Sequence, residues 1–184
     1  MANKDIPSGA IVAGRLGGGT EVSYRKFSVD ASNAVALFHG AMAILSTDGN
    51  ADGIEAASDD FVGIITGIFD ADDVPVKTLA ASTAGSVVVC DDPEAIYNIQ
   101  FEGGGTAPTS AAIGDCADFI WTHAGNANTG RSGMELSETL AGDGNSAQMR
   151  ILGLVETPDN SWGHNAQVLV TPNEHAFKAA TVAI

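Results

Sequence analysis

The sequence predicts a mainly β protein: a single-domain antiparallel β-sandwich or barrel with a flexible N-terminal arm and long loops. Short stretches of alternating apolar and polar residues recur about every ten residues, which is typical of these two architectures. Clusters of Gly, Asp, Asn and Pro separate the stretches, as turns separate strands. No long stretch has the apolar spacing of an amphipathic helix. We therefore predict an arm over residues 1–20 and one β-rich domain over residues 21–184.

The first twenty residues show neither the period of a strand nor that of a helix. Ser8-Gly9 and the triplet 17–19, which is all glycine, bracket the segment 10–15. Glycine loses more conformational freedom on folding than any other residue, so a glycine triplet is costly to order by itself. We predict that this arm is flexible or docks on a neighbouring molecule.

The predicted strands are stretches of alternating or continuous apolar residues that end at turn signals. They cover residues 21–30, 35–45 (two short strands around His39 and Gly40), 61–69, 74–79, 85–90, 95–101, 116–122, 147–155 and 167–170. Gly63 and Gly67 lie inside the buried stretch 61–69 and indicate a bulge or a close approach of two backbones. Between the strands, one helical turn is predicted within 106–113 and another within 137–141.

The charge balance excludes two classes of partner. The chain has a formal net charge of −15 and only 8 Lys and Arg residues. Binding to nucleic acid needs clustered cations that neutralise phosphates, and an anionic membrane surface repels an acidic chain. No run of about 18 apolar residues is present that could span a bilayer. We predict no nucleic-acid partner and no membrane association.

Small residues are unusually frequent. The chain contains 22 Gly, and many of its apolar residues are Ala. Small side chains bury little apolar area each, so the core of a lone monomer gains modest stability from burial. Contacts with other subunits or partners stabilise such chains further. The composition therefore favours a homo-oligomer or a larger assembly.

The two cysteines and the N-terminal residues bear on the compartment. Cys90 and Cys116 have no CxxC spacing and no nearby His, so we interpret them as small buried hydrophobes in a reducing cytosol. Residues 1–7 lack the apolar region of a signal peptide. We expect synthesis in the cytoplasm.

One segment matches half of a calcium-binding loop. Residues 48–53 read Asp-Gly-Asn-Ala-Asp-Gly, and Asp59 stands at the twelfth position. This is the oxygen-ligand pattern of an EF-hand loop. Its flanks are predicted strands rather than helices, and an acidic hairpin turn has the same composition. Both interpretations stay open from the sequence.

The other candidates for chemistry lack the spacing that chemistry requires. No two histidines stand at metal-ligand spacing, the glycine-rich segments lack the Lys of a P-loop, and the GxSxG spacing of a nucleophile elbow is absent around Ser132. Four histidines are present: His39, His123, His164 and His175. We therefore predict no catalytic residue, no cofactor and no metal ligand, and hence a protein that is not an enzyme.

The acidic motif Asp91-Asp92-Pro93-Glu94 lies between two predicted strands. Paired carboxylates serve as acid and base in some enzymes. We interpret the motif instead as an Asp-Pro turn with solvated acids. Trp121 and Trp162 are interpreted as interface anchors or core residues.

Several segments taken together resemble the capsid cement, or head decoration, proteins of tailed phages. They are residues 36–45 followed by Asp48-Gly49, residues 63–69, 89–100, 129–136, 158–163 and 173–175. The segment 63–69 resembles a Gly-Val-Phe strand of that family, and the segment 89–100 is similar to its acidic Asp-Asp-Pro motif and following strand. The resemblance covers roughly residues 34–176, and its motifs are structural rather than catalytic.

The resemblance implies a protein on the outside of the expanded icosahedral head, commonly a trimer near threefold positions. There it clamps neighbouring subunits of the major capsid protein without doing chemistry. Residues 21–184 are then the capsid-binding domain, and the arm orders on the shell. The expected interface residues in the arm are Ile6, Pro7, Ile11, Val12, Arg15 and Leu16. The implied location is the outer capsid surface of the virion.

Three alternatives remain. The chain could be another virion component, such as a tail-tube subunit, a minor tail component or the base of a head fibre. It could be a carbohydrate-binding β-sandwich that uses the 48–59 loop with Ca²⁺. It could also be a hydrolase whose site carries no recognisable motif. Self-assembly into tubes, Ca²⁺-dependent glycan binding and catalytic turnover separate these alternatives from a cement protein.

Overall fold

The computed structural model describes residues 3–19, 21–54, 61–123, 125–143 and 147–178. Regular structure in these ranges is almost entirely β. The strands are β1 (Ile11–Arg15), β2 (Tyr24–Val29), β3 (Leu37–Phe38), β4 (Met42–Leu45), β5 (Ala51–Gly53), β6 (Phe61–Phe69), β7 (Thr78–Leu79), β8 (Gly85–Cys90), β9 (Ala95–Gln100), β10 (Cys116–Ala117), β11 (Phe119–Ile120), β12 (Glu135–Leu136), β13 (Met149–Leu154) and β14 (Gln167–Pro172). A 3₁₀ helix, Ser110–Ala112, lies between β9 and β10.

Two five-stranded antiparallel sheets pack against each other around the hydrophobic core. The first sheet has the strand order β1-β9-β14-β13-β10, and the second has the order β2-β8-β6-β4-β5. The remaining strands form two pairs, β11 with β12 and β3 with β7. The predicted mainly β, antiparallel fold is confirmed, and its architecture is the sandwich.

Aromatic side chains from both sheets meet in the core. Phe61 of β6 lies edge-on to Tyr97 of β9 with ring centroids 6.3 Å apart, and it lies 5.9 Å from Phe119 of β11. The buried hydroxyl of Tyr97 donates to the carbonyl oxygen of Cys90 at 3.0 Å. Burial raises the pKa of Tyr97, so this hydroxyl stays protonated and its hydrogen bond is kept. As predicted, Cys90 and Cys116 are both buried.

The glycines of β6 allow the central strand of the second sheet to pack closely. A Cβ atom on Gly63 would lie 2.0 Å from the carbonyl oxygen of Cys90, so only glycine fits there. The register between β6 and β8 shifts between Ile65 and Gly67, which is a β-bulge. Both the close approach and the bulge predicted from these glycines are confirmed.

Three predicted elements differ from the structure because backbone groups that the predicted element needs form hydrogen bonds elsewhere. The predicted strand 74–79 shortens to β7, since the carboxylate of Asp70 accepts from the N–H groups of residues 72 and 74. The predicted strand 116–122 divides at Asp118 into β10 and β11, and the N–H of Phe119 donates to the side-chain oxygen of Gln148 at 3.0 Å instead of to a neighbouring strand. The predicted helical turn within 137–141 is wrong, because the N–H of Ser137 donates to the carbonyl oxygen of Asp118 and the N–H of Glu138 donates to the carboxylate of Glu102. The turn predicted within 106–113 is confirmed by the 3₁₀ helix.

The N-terminal residues form a strand of the sandwich. β1 pairs antiparallel with β9, so that Ile11 lies opposite Asn98 and Arg15 lies opposite Ala95. The register shifts after Val12, which places a bulge in this edge strand. Here the structure differs from the predicted flexible arm. The exposed backbone edge of β9 supplies hydrogen-bond partners that offset the entropy lost by ordering this glycine-containing segment.

Candidate functional site

The N-terminal segment, residues 3–16, is bonded to the sandwich from its first described residue. The side-chain amide of Asn3 donates to the carbonyl oxygens of Ser161 and His164, each at 2.8 Å. Its oxygen accepts from the N–H of Ser161 at 3.0 Å. These bonds tie the start of the segment to the loop between β13 and β14.

The side chain of Gln100, at the end of β9, holds the next part of the segment. Its oxygen accepts from the N–H of Ile6 at 3.1 Å. Its amide group donates to Oδ1 of Asp5 at 3.3 Å and to Oε1 of Glu135 at 3.1 Å. Gln100 is buried, so pairing both ends of its amide avoids the cost of an unsatisfied polar group. The amide thereby links the segment to β12.

Gly9 contacts Gly40 closely at the point where the segment enters β1. Gly9 has a φ of 71°, and a Cβ atom there would lie 2.5 Å from the carbonyl oxygen of Gly40. The next residue, Ala10, donates its N–H to that same oxygen at 2.9 Å. Glycine is therefore required at position 9 for both its left-handed conformation and the space available. The contact fixes the direction in which the chain enters β1.

The acidic motif between β8 and β9 anchors the other end of β1. Asp92 accepts from Nε of Arg15 at 2.9 Å, and Glu94 pairs with the same guanidinium at 2.9 Å. Asp91 pairs with Arg25, at the start of β2, at 3.0 Å. Both arginines therefore approach one corner of the sandwich, from two different sheets.

The prediction of solvated acids in this motif is wrong for Asp91 and Asp92, whereas Glu94 is exposed as predicted. The turn itself is present, since the N–H of Ala95 donates to the carbonyl oxygen of Asp92 at 3.0 Å. However, only 3% of Asp91 and 5% of Asp92 is exposed. Ion pairs with arginines far away in the sequence make this burial tolerable. Local composition could not reveal these partners.

The six predicted interface residues lie together on the N-terminal segment. Ile6, Ile11 and Leu16 expose 62%, 45% and 36% of their surface. Pro7 and Arg15 are exposed as well, whereas Val12 is half-buried against the core. An exposed set of large apolar side chains on an ordered backbone is suited to contact with another protein. The interface role of these residues stays a prediction.

Two buried glutamates pair with histidines beside this segment. Nδ1 of His123 lies 2.7 Å from Oε2 of Glu135, and Nδ1 of His164 lies 2.8 Å from Oε2 of Glu138. Glu138 also accepts from the N–H of Gly105 at 2.9 Å. Burial raises the pKa of Glu135, and the hydrogen bond from His123 opposes that shift. No local signal in the sequence predicts these pairs, because their members come from separate loops.

The candidate calcium loop is a hairpin turn in the residues that the structure describes. Strand β5 begins at Ala51, and residues 46–50 connect it to β4. The side chain of Asp48 bonds to the hydroxyl of Ser46 and to Asn50 within this turn. These hydrogen bonds lower the pKa of Asp48, with the Ser46 hydroxyl contributing most. Asp59 lies outside the described residues.

Two further histidines and the two tryptophans lie in different environments. His175 is buried, with its ring centroid 5.5 Å from that of Phe61. Nδ1 of His39 lies 3.1 Å from the carbonyl oxygen of Thr66. Trp162 packs against the core, whereas Trp121 is exposed and lines an apolar hollow of about 380 Å³.

Comparison with known proteins does not assign the chain to a family. No family model matches it, and neither a curated protein nor a solved structure shows significant similarity to it. Within the described ranges, no group of three or more His, Cys, Asp or Glu side chains is placed to hold a metal ion. The same residues contain no helix long and apolar enough to cross a membrane.

Proposed function

We propose that this protein is a non-enzymatic structural component of a tailed-phage virion, which binds the outside of the expanded icosahedral capsid and stabilises it. The resemblance of residues 34–176 to cement proteins supports this function. The observation that carries it is the N-terminal segment, which presents exposed Ile6, Ile11 and Leu16 on a backbone bonded to the sandwich. A protein surface that covers these side chains removes apolar area from water.

The ordered backbone of the segment favours binding. A disordered arm loses backbone entropy of about 1–2 kcal/mol per residue when it docks. Residues 11–15 are already paired with β9, so they lose little more on a capsid surface. Burying one large apolar side chain contributes at most about 1.5–3 kcal/mol. Each molecule therefore adds a modest stabilisation, and an icosahedral shell repeats it at many equivalent positions.

Selectivity for the mature shell follows from the lattice rather than from the protein. Expansion changes the spacing of capsid subunits, and a rigid surface binds well to one spacing only. A protein that binds the expanded lattice more tightly than the unexpanded one shifts the equilibrium towards the expanded state.

The net charge of −15 fits an outward-facing coat, because like charge keeps particles apart in solution. We expect a small closed oligomer, with a trimer favoured.

Co-sedimentation with phage heads that lack the protein tests this function. The expected result is saturable binding to expanded heads and none to unexpanded heads. The double variant Ile6→Ser, Ile11→Ser should bind expanded heads at least about tenfold more weakly, as truncation of central interface residues does. The control is Val74→Ser, which removes one apolar side chain, whose exposure (53%) lies between those of Ile6 and Ile11, from the turn after β6.

Each outcome has a separate meaning. Failure of the unaltered protein to bind either form of head overturns the capsid function. Binding that the double variant and Val74→Ser retain equally would move the interface to another face. Assembly of the purified protein into rings or tubes would favour a tail-tube subunit instead.

A further inference from the structure

A groove of about 260 Å³ lies beside β1. Its walls are β1, the start of β2, the turn between β3 and β4, the bulge of β6, and Arg131. Ile11 and Tyr24 stand in its lining with 45% and 52% of their surface exposed. The groove is therefore open to a macromolecule and has an apolar rim.

The groove differs in charge from the chain as a whole. The protein carries a net charge of −15, yet the lining contains no Asp or Glu side chain. It contains Arg131, whose guanidinium makes no ion pair with any residue that the structure describes, and His39. An exposed guanidinium without a counter-charge is a ready site for a carboxylate.

The backbones of His39 and Arg131 are held side by side by a parallel bridge. The N–H of His39 donates to the carbonyl oxygen of Gly130 at 2.9 Å, and the N–H of Ser132 donates to that of His39 at 2.9 Å. The His39 ring donates from Nδ1 to the carbonyl oxygen of Thr66, because a carbonyl only accepts. Nε2 of a neutral His39 ring is then an acceptor, so the group in this groove that can bind a carboxylate is the guanidinium of Arg131. The guanidinium of Arg131 therefore extends from an ordered backbone, so mainly its own side chain loses freedom when a carboxylate binds.

Two strand edges flank the groove. β1 ends the first sheet and β2 ends the second, so each has one backbone edge without a neighbouring strand in the described structure. Unpaired strand edges bind extended peptides through main-chain hydrogen bonds, while neighbouring pockets select the side chains. An extended chain suits this site better than a small anion, which would leave the edges and the apolar rim unused.

We infer that this groove binds an extended acidic segment of the capsid subunit, with a carboxylate on Arg131 and an apolar side chain between Ile11 and Tyr24. The inference rests on the proposed capsid function and names the chemistry that its interface recognises. Charge reversal at Arg131 should therefore weaken binding to the capsid more than charge reversal at an exposed lysine elsewhere.

The experiment measures binding of Arg131→Glu, Arg131→Lys and Lys178→Glu to expanded heads. Arg131→Glu should bind at least about tenfold more weakly, and Arg131→Lys should keep part of the affinity, because lysine retains the charge but not the planar fork. Lys178 is exposed on the C-terminal residues, outside the groove, so its reversal should leave binding unchanged. Thermal unfolding of each variant checks that the fold is intact.

A photo-crosslinking side chain in place of Tyr24 identifies the occupant directly. Mass spectrometry of decorated heads should recover a cross-linked capsid peptide that contains Asp or Glu. A cross-link to a second copy of this chain, or to a capsid peptide without acidic residues, would overturn the inference. Unchanged affinity of Arg131→Glu would do so too, while the capsid function stands. Failure of the unaltered protein to bind heads overturns both.

Discussion

Arg15, the last residue of edge strand β1, donates from Nε to Oδ2 of Asp92 at 2.9 Å. Asp92 lies in the corner where the chain leaves β8 of the second sheet and enters β9 of the first. The adjacent Asp91 accepts from the hydroxyl of Ser23 at 2.8 Å and pairs with Arg25. Both ends of the glycine-rich loop between β1 and β2 are therefore tied to one pair of buried carboxylates.

Arg15→Ala should lower the free energy of unfolding by about 1–3 kcal/mol, because it removes a charged donor from a buried carboxylate. Urea denaturation of both proteins measures the change. The matched control is Lys178→Ala, which removes an exposed cation and should change stability by less than about 0.5 kcal/mol.

Asp92→Asn should also destabilise the protein, and a double-mutant cycle shows whether the two residues act on each other. The coupling energy between Arg15→Ala and Asp92→Asn should be about 0.5–3 kcal/mol. Strictly additive effects of the two substitutions would mean that the ion pair does not contribute to stability.

Gly9→Ala should loosen the entry of the chain into β1. The new Cβ atom would lie 2.5 Å from the carbonyl oxygen of Gly40, in a backbone conformation that alanine rarely adopts. We expect a loss of about 1–3 kcal/mol and faster amide hydrogen exchange in residues 10–16. Gly14→Ala is the control within β1, since a Cβ atom there meets nothing within 4 Å. Equal exchange rates in the two variants would contradict the role assigned to the Gly9 contact.

His175 should make stability fall in mild acid. Burial lowers the pKa of its ring below the ordinary value of 6.5, and Nδ1 accepts from the N–H of Phe177 at 3.1 Å. The fold therefore favours the neutral ring. This contribution to stability is fully present above about pH 6.5 and is lost as the pH falls through the lowered pKa.

The variant His175→Asn isolates that effect. Asparagine offers an oxygen near the position of Nδ1 but does not titrate, while His123 and His164 are present in both proteins. Chemical denaturation between about pH 7 and pH 5 should show that the unaltered protein loses more unfolding free energy than the variant. Parallel pH profiles would show that His175 does not contribute.

Glu138→Ala should free two loops at once. The carboxylate accepts from the N–H of Gly105 and pairs with His164, and its side chain is fully buried. We expect a loss of about 1–3 kcal/mol and faster hydrogen exchange in residues 103–107 and 161–166. Glu156→Ala, at an exposed position, is the control and should leave both loops protected. Unchanged exchange in the Glu138 variant would show that other contacts hold these loops.

The acidic motif, residues 91–94, shows which part of the candidate site the sequence predicts. The motif 91–94 predicts a turn from its own residues, and the turn is present. Burial of Asp91 and Asp92 depends on Arg15 and Arg25, which approach from β1 and β2. Likewise, no periodicity shows that Arg131 and Tyr24 line one groove, since they lie on different loops and strands.

The sequence alone determined the β class, most of the long strands and the need for glycine within β6. The alternation of apolar and polar residues indicates which face of a strand is buried, and a glycine indicates where two backbones come close. Both signals are local in the sequence. The tertiary structure decided that residues 11–15 form β1, since the edge of β9 supplies their partners. It also decided which acids are buried, because a carboxylate leaves water only where a distant cation or donor meets it.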